Sequence, residues 1–177
     1  MQLYKILSVL LTYPDQEFLA HLDEIEEIVT QLETTPEDQE ALLGFLRIWR
    51  GQSLLALQED YVQTFDLTPD NTLHLTHHLF EEQDRNRGPS LIHLSEFFKS
   101  SGYEPVENEL PDYLPLLLEY VSTLEDSLSA RFFLRELNPA VVAIAENLEK
   151  ISSPYAPLLR LIERHGQTVA TALAATV

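Results

Sequence analysis

The sequence predicts an all-α protein, a single-domain helical bundle of about nine helices. Apolar residues recur at intervals of three and four along nearly the whole chain, which is the period of one face of an α-helix. No segment alternates polar and apolar residues for long enough to predict a β-strand. The chain has 177 residues, a length at which one hydrophobic core suffices without cross-links. We therefore expect one domain over residues 1–177.

The N-terminal part of the sequence predicts three helices. The first two carry apolar stripes at Leu3, Ile6, Leu7, Leu10 and Leu11, and at Phe18, Leu22, Ile25, Val29 and Leu32. Thr35 and Pro36 suit the N-cap and first position of the third helix, and acidic residues follow them. This third helix is expected to stop near Gly51.

Three further helices are predicted in the middle of the chain. The fourth covers residues 53–65 and the fifth residues 73–82, and a loop with turn residues, DLTPDNT, separates them. The segment QDRNRGP interrupts the pattern, and the sixth helix follows with Leu91, Leu94 and Phe98 on one face.

The last three helices complete the prediction. The seventh covers residues 112–124, with Pro115 in the first turn, where proline is tolerated. The eighth begins near Ser129 and is expected to bend or break at Asn138-Pro139. The ninth begins after Pro154 and runs toward the end of the sequence.

Composition and charge exclude several classes of function. With no cysteine, the chain cannot form disulfides, thiolate zinc sites or iron–sulfur clusters of its own. The net charge of −18 opposes nucleic-acid binding, which relies on Lys and Arg, and favours basic partners such as an arginine-rich peptide. No signal peptide or apolar run of membrane-spanning length is present, so we expect a cytoplasmic protein without membrane insertion.

A metal site is one alternative that the histidines suggest. Three of the six histidines lie within residues 74–78, and His74, His78 and Glu82 recur at intervals of four. This spacing would place them on one helix face, and such side chains bind zinc or iron. Three ligands from one helix do not easily converge on one ion, so we expect these histidines to be half-buried or to line a groove instead.

Motifs of enzymatic chemistry are absent. The sequence lacks a Gly-x-Ser-x-Gly motif, a phosphate-binding glycine loop and a dinucleotide fingerprint. These absences argue against hydrolase, phosphate-loop and dinucleotide chemistry, and we expect no bound cofactor. A groove for a basic amphipathic peptide is the more specific hypothesis, because aromatic and histidine residues gather in the middle of the sequence beside acids. These residues are Tyr61, Phe65, His74, His77, His78, Phe80, Tyr113 and Tyr120.

Three stretches carry a family resemblance. YKILSVLLTYPDQEF (4–18), EDYVQTFDLTPDNTLHLTHHLFEEQDRNRG (59–88) and GYEPVENELPDYLPLLLEYVSTL (102–124) together resemble the NarJ group of the TorD/DmsD/NarJ redox-enzyme maturation chaperones. The resemblance covers most of residues 3–125.

The resemblance implies a TorD-like, non-enzymatic helical chaperone. Such a protein binds the N-terminal leader of an apo-molybdoenzyme subunit and holds that subunit for insertion of the molybdenum cofactor. For the NarJ group the client resembles the catalytic subunit of a respiratory nitrate reductase. Proteins of molybdenum-cofactor biosynthesis are further candidate partners, and a helical adaptor for an unrelated partner is the remaining alternative.

The resemblance also identifies candidate site residues. The family's aromatic-x-x-Leu-Phe motif falls on Tyr61 to Phe65, with Thr64 in place of leucine. The family's Phe-Glu-…-Arg-x-Arg-Gly segment falls on Phe80, Glu81, Asp84, Arg85, Arg87 and Gly88. Its Glu-x-Pro-Asp-His motif falls on Glu109, Pro111, Asp112 and Tyr113, with Glu119 and Tyr120 following.

Each group of candidate residues is expected to have its own role. Tyr61, Phe65, Phe80 and Tyr113 are the expected apolar anchors of the leader. Glu81, Asp84, Glu109 and Asp112 are expected to face its basic residues. His74 and His78 are expected to form hydrogen bonds with the bound peptide.

Overall fold

The chain is helical throughout the part that the structure describes. The computed structural model describes residues 2–80, 84–103, 109–124 and 127–174, without the side chains of 127–129, 131–132 and 168–174. Within these ranges ten α-helices and no β-strand occur, which confirms the all-α prediction. The helices are α1 (Gln2–Leu10), α2 (Gln16–Ala20), α3 (Leu22–Gln31), α4 (Pro36–Arg50), α5 (Leu54–Tyr61), α6 (Thr76–Leu79), α7 (Arg87–Ser100), α8 (Leu114–Thr123), α9 (Ser127–Lys150) and α10 (Ala156–Ala174).

The hydrophobic core is continuous from α1 to α10. The apolar stripes of α1, α4, α8, α9 and α10 meet in one cluster of buried side chains. An aromatic group lies in it, in which the Tyr155 ring contacts Phe45, Trp49 and Phe65 at centroid distances of 5.1, 6.2 and 4.8 Å. Large rings of this kind each bury a large apolar area, so this group is a main source of the stability of the fold. None of the described helices is long and apolar enough to cross a membrane.

The second predicted helix is two helices in the structure. Asp15 is the N-cap of α2, and its carboxylate accepts a hydrogen bond from the Phe18 amide at 2.7 Å. It ends at Ala20, and α3 starts at Leu22 after His21. The apolar stripe continues across this break, which explains why periodicity alone predicted one helix.

The fourth predicted helix changes its geometry before it ends. α5 ends at Tyr61, and residues Val62–Asp66 form a π-helix. The Leu67 amide accordingly donates to the carbonyl of Val62, five residues earlier, at 2.9 Å. π-helical turns are rare and often occur at functional sites. This turn buries Thr64 and Phe65 on the core side.

The fifth helix is shorter than predicted. Only Thr76–Leu79 are α-helical, and Glu81 and Glu82 lie outside the described residues. Residues 73–75 instead pair with residues 112–114. The Leu75 amide donates to the Asp112 carbonyl at 3.0 Å, and the Leu114 amide donates to the Leu73 carbonyl at 2.9 Å. Tertiary pairing thus replaces the first predicted helical turn.

Of the bend or break predicted at Asn138-Pro139, the break does not occur, because α9 is one continuous helix from Ser127 to Lys150. An interior proline costs about 3 kcal/mol through its missing N–H and its ring. α9 packs along much of its length against α10, and this contact offsets that local penalty. The two helices approach closely at Gly166 of α10, where a Cβ would lie 2.9 Å from the Asn138 side-chain oxygen.

The buried carboxylate of Asp38 takes part in a hydrogen-bond network that connects α1, α4 and α10. Asp38 in the first turn of α4 accepts hydrogen bonds from Arg164 at 2.6 Å and from His165 Nε2 at 3.0 Å, both on α10. The His165 Nδ1 atom in turn lies 3.0 Å from the Tyr4 hydroxyl of α1. Burial alone would raise the pKa of Asp38, but the hydrogen bonds from Arg164 and His165 hold it below its ordinary value.

Substituting Asp38→Asn should lower the free energy of unfolding by about 1–2 kcal/mol at neutral pH, because Arg164 and His165 lose a charged partner. The pKa of Asp38 in the folded protein lies below the ordinary 3.8. The charge of Asp38 therefore contributes fully to the free energy of unfolding at pH 5 and 7, and this contribution is lost as the pH falls through the folded-state pKa. Urea unfolding at pH 7, 5 and 3 checks this. The exposed control Glu33→Gln should differ little from the wild type, and a loss for Asp38→Asn that grows toward low pH would contradict the assignment.

Candidate functional site

A surface groove with a volume of about 770 Å³ lies between α7 and α9. One wall comes from α7 and the residue before it, and contains Asn86, Pro89, Ser90, His93, Leu94 and Phe97. The other wall is the α9 face with Phe133, Glu136 and Leu137. The floor comes from α6, α8 and their adjoining segments, and contains Leu75, Thr76, Leu79, Phe80, Asp112 and Leu117. Most of these side chains are apolar, so the groove suits an apolar occupant.

Helix α7 has few buried residues for a helix of its length. Of its 14 residues, only Phe98 is fully buried. The groove-facing residues recur at intervals of three and four and so form one helix face. On that face Phe97 remains 37% exposed. The Phe97 ring packs in part against Phe133 and Tyr120, and no described residue covers the rest of this face.

Aromatic rings connect the two walls of the groove. The rings of Phe97 on α7 and Phe133 on α9 lie nearly parallel, with centroids 6.1 Å apart. Tyr120 of α8 contacts both rings, at centroid distances of 5.5 and 5.4 Å, and is itself buried. Tyr120, predicted as a contact residue, therefore supports the groove walls and does not line the groove.

Asp112 forms hydrogen bonds at the base of the groove. It is 1% exposed, and its carboxylate accepts from the Thr76 amide at 3.0 Å, from the Thr76 hydroxyl at 2.5 Å and from His74 Nδ1 at 3.3 Å. Arg87 Nε of α7 donates to the same Thr76 hydroxyl at 3.0 Å. This network fixes the start of α6 and connects it to α7. Asp112 is thus held inside the fold, which corrects the expectation that it faces a leader directly.

The protonation state of Asp112 follows from these contacts. Burial raises the pKa of Asp112, but hydrogen bonds from His74 and Thr76 outweigh burial and lower it below its ordinary value. The carboxylate is therefore charged at neutral pH, and it is the acceptor that holds the first turn of α6.

Tyr61 and Phe65 lie in the core and do not line the groove. The Tyr61 ring contacts Phe65 and Tyr155 at centroid distances of 5.0 and 6.3 Å. The Tyr61 hydroxyl donates to the Leu11 carbonyl at 3.1 Å and lies 2.8 Å from the hydroxyl of the half-buried Tyr113. Their burial corrects the expectation that Tyr61 and Phe65 are exposed anchors. Burial also raises the pKa of Tyr113 to about 12, so this phenol stays protonated.

The histidine cluster lies beside a different, smaller cavity. His74 and His77 line a depression of about 310 Å³ together with Phe65, Asp66, Pro69 and Thr72. His74 precedes α6, and its backbone forms an isolated antiparallel bridge with Tyr113. His78 Nε2 donates to the Thr72 carbonyl at 2.8 Å, and burial lowers the pKa of His78.

The contacts of these histidines bear on the metal alternative. His74 and His78 point to Asp112 and to the Thr72 carbonyl, so they do not converge from one helix face. The third candidate ligand, Glu82, lies outside the described residues. Within the described ranges no three His, Asp or Glu side chains form a group able to hold an ion.

The predicted site residues not yet described differ in their exposure and in their contacts. Glu81 lies outside the described residues. Asp84 is half-buried and accepts from the Asn86 amide at 2.8 Å, ahead of α7. Arg85, Gly88 and Glu109 are exposed and Pro111 is half-buried, and none of them lines the groove.

Glu119 on α8 is engaged by other parts of the fold. It pairs with Lys5 of α1 and accepts a hydrogen bond from the Tyr103 hydroxyl at 3.2 Å. Of the predicted site residues that the structure describes, only Phe80 and Asp112 line the groove.

Sequence reasoning missed most of the groove lining. His93, Leu94 and Phe97 belong to a helix that was predicted only from its core-facing stripe. Phe133, Glu136 and Leu137 lie on α9, where no motif had been noted. The available signal was the apolar character of α7 on more than one face, since Phe97 widens the stripe of Leu91, Leu94 and Phe98 and Ile92 lies outside it.

Comparison with known proteins decides the family. A family described as "Nitrate reductase delta subunit" matches residues 17–160, which is most of the sequence. The chain belongs to the nitrate reductase delta subunit family. The prediction of a NarJ-like chaperone family is thereby confirmed, and it is favoured over an unrelated helical adaptor.

Several relatives of this chain have names that refer to nitrate reductase. The probable nitrate reductase molybdenum cofactor assembly chaperone NarJ of Bacillus subtilis is 37% identical over 90% of this chain and 85% of its own length. The NarJ chaperone of Escherichia coli is 33% identical over 92% of this chain and 69% of its own length. The nitrate reductase-like protein NarX of Mycobacterium tuberculosis is 31% identical over 90% of this chain, which is 23% of NarX. The two NarJ relatives are named as assembly chaperones, in agreement with the expectation that the family is not enzymatic.

Substituting Asp112→Asn should lower the free energy of unfolding by about 2 kcal/mol, because a buried charged acceptor of three hydrogen bonds is replaced by an amide. Urea unfolding measures this change. Glu109→Gln, in the same segment but exposed, is the matched control and should stay within about 0.5 kcal/mol of the wild type. Equal effects of the two substitutions would show that Asp112 does not hold the base of the groove.

Proposed function

We propose that this chain is an assembly chaperone for a molybdenum-cofactor enzyme of the nitrate reductase type. In this proposal it binds the N-terminal leader of the apo catalytic subunit and holds that subunit until the cofactor is inserted. The proposed location is the cytoplasm. Proteins of molybdenum-cofactor biosynthesis are further proposed partners, on the family resemblance alone.

The uncovered groove between α7 and α9 is the observation that carries the proposal. Its two walls are helices, so a third helix laid between them would complete a small bundle at ordinary helix-packing distances. A helical leader would place apolar side chains at intervals of three and four against Phe97, Leu94 and Leu137. Phe80 and Leu79 on the floor would contact the same apolar face.

Charge supports the same occupant. The chain carries a net charge of −18, whereas the proposed leader is basic. Opposite net charges accelerate the first encounter and disfavour acidic competitors. The groove would supply the apolar contact with the leader, and the negative charge of the chain would supply the electrostatic attraction to it. The relatives' printed role in molybdenum cofactor assembly of nitrate reductase supports the choice of client.

The variant Phe97→Ala should weaken leader binding roughly 30-fold, because it removes an aromatic anchor from the groove wall. Titration calorimetry with a synthetic peptide of about 20 residues from the start of the client's catalytic subunit measures this, a length that spans about 30 Å as a helix. Ile92→Ala provides the control on the same helix. Ile92 is 62% exposed and does not line the groove, so this variant should bind like the wild type. Unchanged binding by Phe97→Ala would reject the groove as the site.

The same pair of variants tests the cellular role. In cells that lack this chaperone, the catalytic subunit should be purified with less molybdenum than normal. Expression of Ile92→Ala should restore the molybdenum content, and Phe97→Ala should restore less. Elemental analysis of the purified enzyme checks this. Equal restoration by the two variants would show that the groove is not needed for cofactor insertion.

A further inference from the structure

Glu136 is the exposed carboxylate of the groove. Two acids line the groove within the described residues, and Asp112 is buried at its base. Glu136 lies on the α9 wall with a side chain that is 72% exposed. A cation carried by an occupant of the groove would therefore meet Glu136 first.

Arg135 already binds this carboxylate. Its Nε and Nη2 atoms both donate to the same Glu136 oxygen, Oε1, at 3.3 and 3.0 Å. The second oxygen, Oε2, has no hydrogen bond or ion pair with the described residues. Glu136 lines the groove and Arg135 does not, so the pairing with Arg135 leaves Glu136 as part of the groove lining.

Two aromatic rings lie next to Glu136. Phe133 is one helical turn earlier on the same face of α9, and Phe97 lies opposite on α7. A guanidinium binds a carboxylate through a planar pair of N–H groups and also stacks on aromatic faces. An ammonium lacks this planar geometry. A carboxylate beside two aromatic rings is therefore better suited to binding arginine than lysine.

We propose that Glu136, Phe133 and Phe97 form a recognition position for one arginine of the leader, and that Arg135 occupies Glu136 in the free chaperone until the leader displaces it. This inference rests on the proposed function and adds a specificity-determining residue to it. Exposed ion pairs are weak, so exchange of one guanidinium for another meets little resistance. One fixed cation would also set the direction in which the leader lies in the groove.

A double-mutant cycle tests the recognition position. Wild type and Glu136→Gln are titrated with the leader peptide and with peptides in which each basic residue is replaced in turn by glutamine. Glu136→Gln should weaken binding of the unmodified peptide roughly fivefold. The loss should vanish for one substituted peptide, the one that lacks the recognised residue, and persist for the others. A lysine version of that peptide should bind more weakly than the arginine version.

Arg135→Gln should have the opposite effect and strengthen leader binding about two- to fivefold, because the internal competitor is gone. Glu146→Gln and Lys150→Gln are charge-matched controls on α9 that do not line the groove. Both should leave affinity near that of the wild type. Control effects as large as those of Glu136→Gln and Arg135→Gln would indicate general electrostatics and overturn the inference.

The outcomes separate this inference from the proposed function. If Glu136→Gln binds every peptide like the wild type while Phe97→Ala loses affinity, the recognition position is rejected and the groove remains. If Arg135→Gln binds more weakly, the competition by Arg135 is rejected. If the wild-type chaperone does not bind the leader at all, the inference and the proposed function both fail.

Discussion

The buried carboxylate of Asp112 is the interaction on which the geometry of the groove depends. It joins the segment before α8 to the first turn of α6, and Thr76 extends the connection to Arg87 at the start of α7. The backbone pairing of residues 73–75 with 112–114 holds the same junction. Buried charged hydrogen bonds are strong only when every partner is in place, so this junction positions three chain segments together.

In the proposed function, the groove would combine two kinds of recognition that act at different distances. The overall negative charge acts before contact and does not depend on the position of any single side chain. The apolar walls act only after contact, and they require an occupant with a matching helical face. α7 is the element that would make this division possible, because Phe98 is its only fully buried residue and Phe97 stays partly exposed. A helix with more core contacts would give a more stable fold but no groove.

The sequence predicted the fold better than it predicted the site. Helical periodicity located α4 and α10 because their stripes coincide with the core, and Thr35 and Pro36 marked the start of α4 correctly. It failed at residues 73–75, where pairing with a distant segment replaced the helical turn. It also allowed a break at Pro139, where α9 is unbroken because packing on α10 outweighed the local penalty. Tyr61 and Phe65 were predicted as exposed anchors because aromatic residues at helical spacing look alike in a core and in a groove. Phe97 and Glu136 were missed because exposure is a tertiary property that no local pattern contains.

The π-helix at Val62–Asp66 has a consequence for comparing this chain with its relatives. A π-turn holds one more residue between its bonded groups than an α-turn does, so every later side chain is rotated by about 100° relative to a regular helix. The direction in which Asp66 and Leu67 point is therefore set by the number of residues in the π-turn and not by the chemistry of their side chains. A relative with one residue fewer in this stretch would keep every side chain of the motif and yet present a different surface.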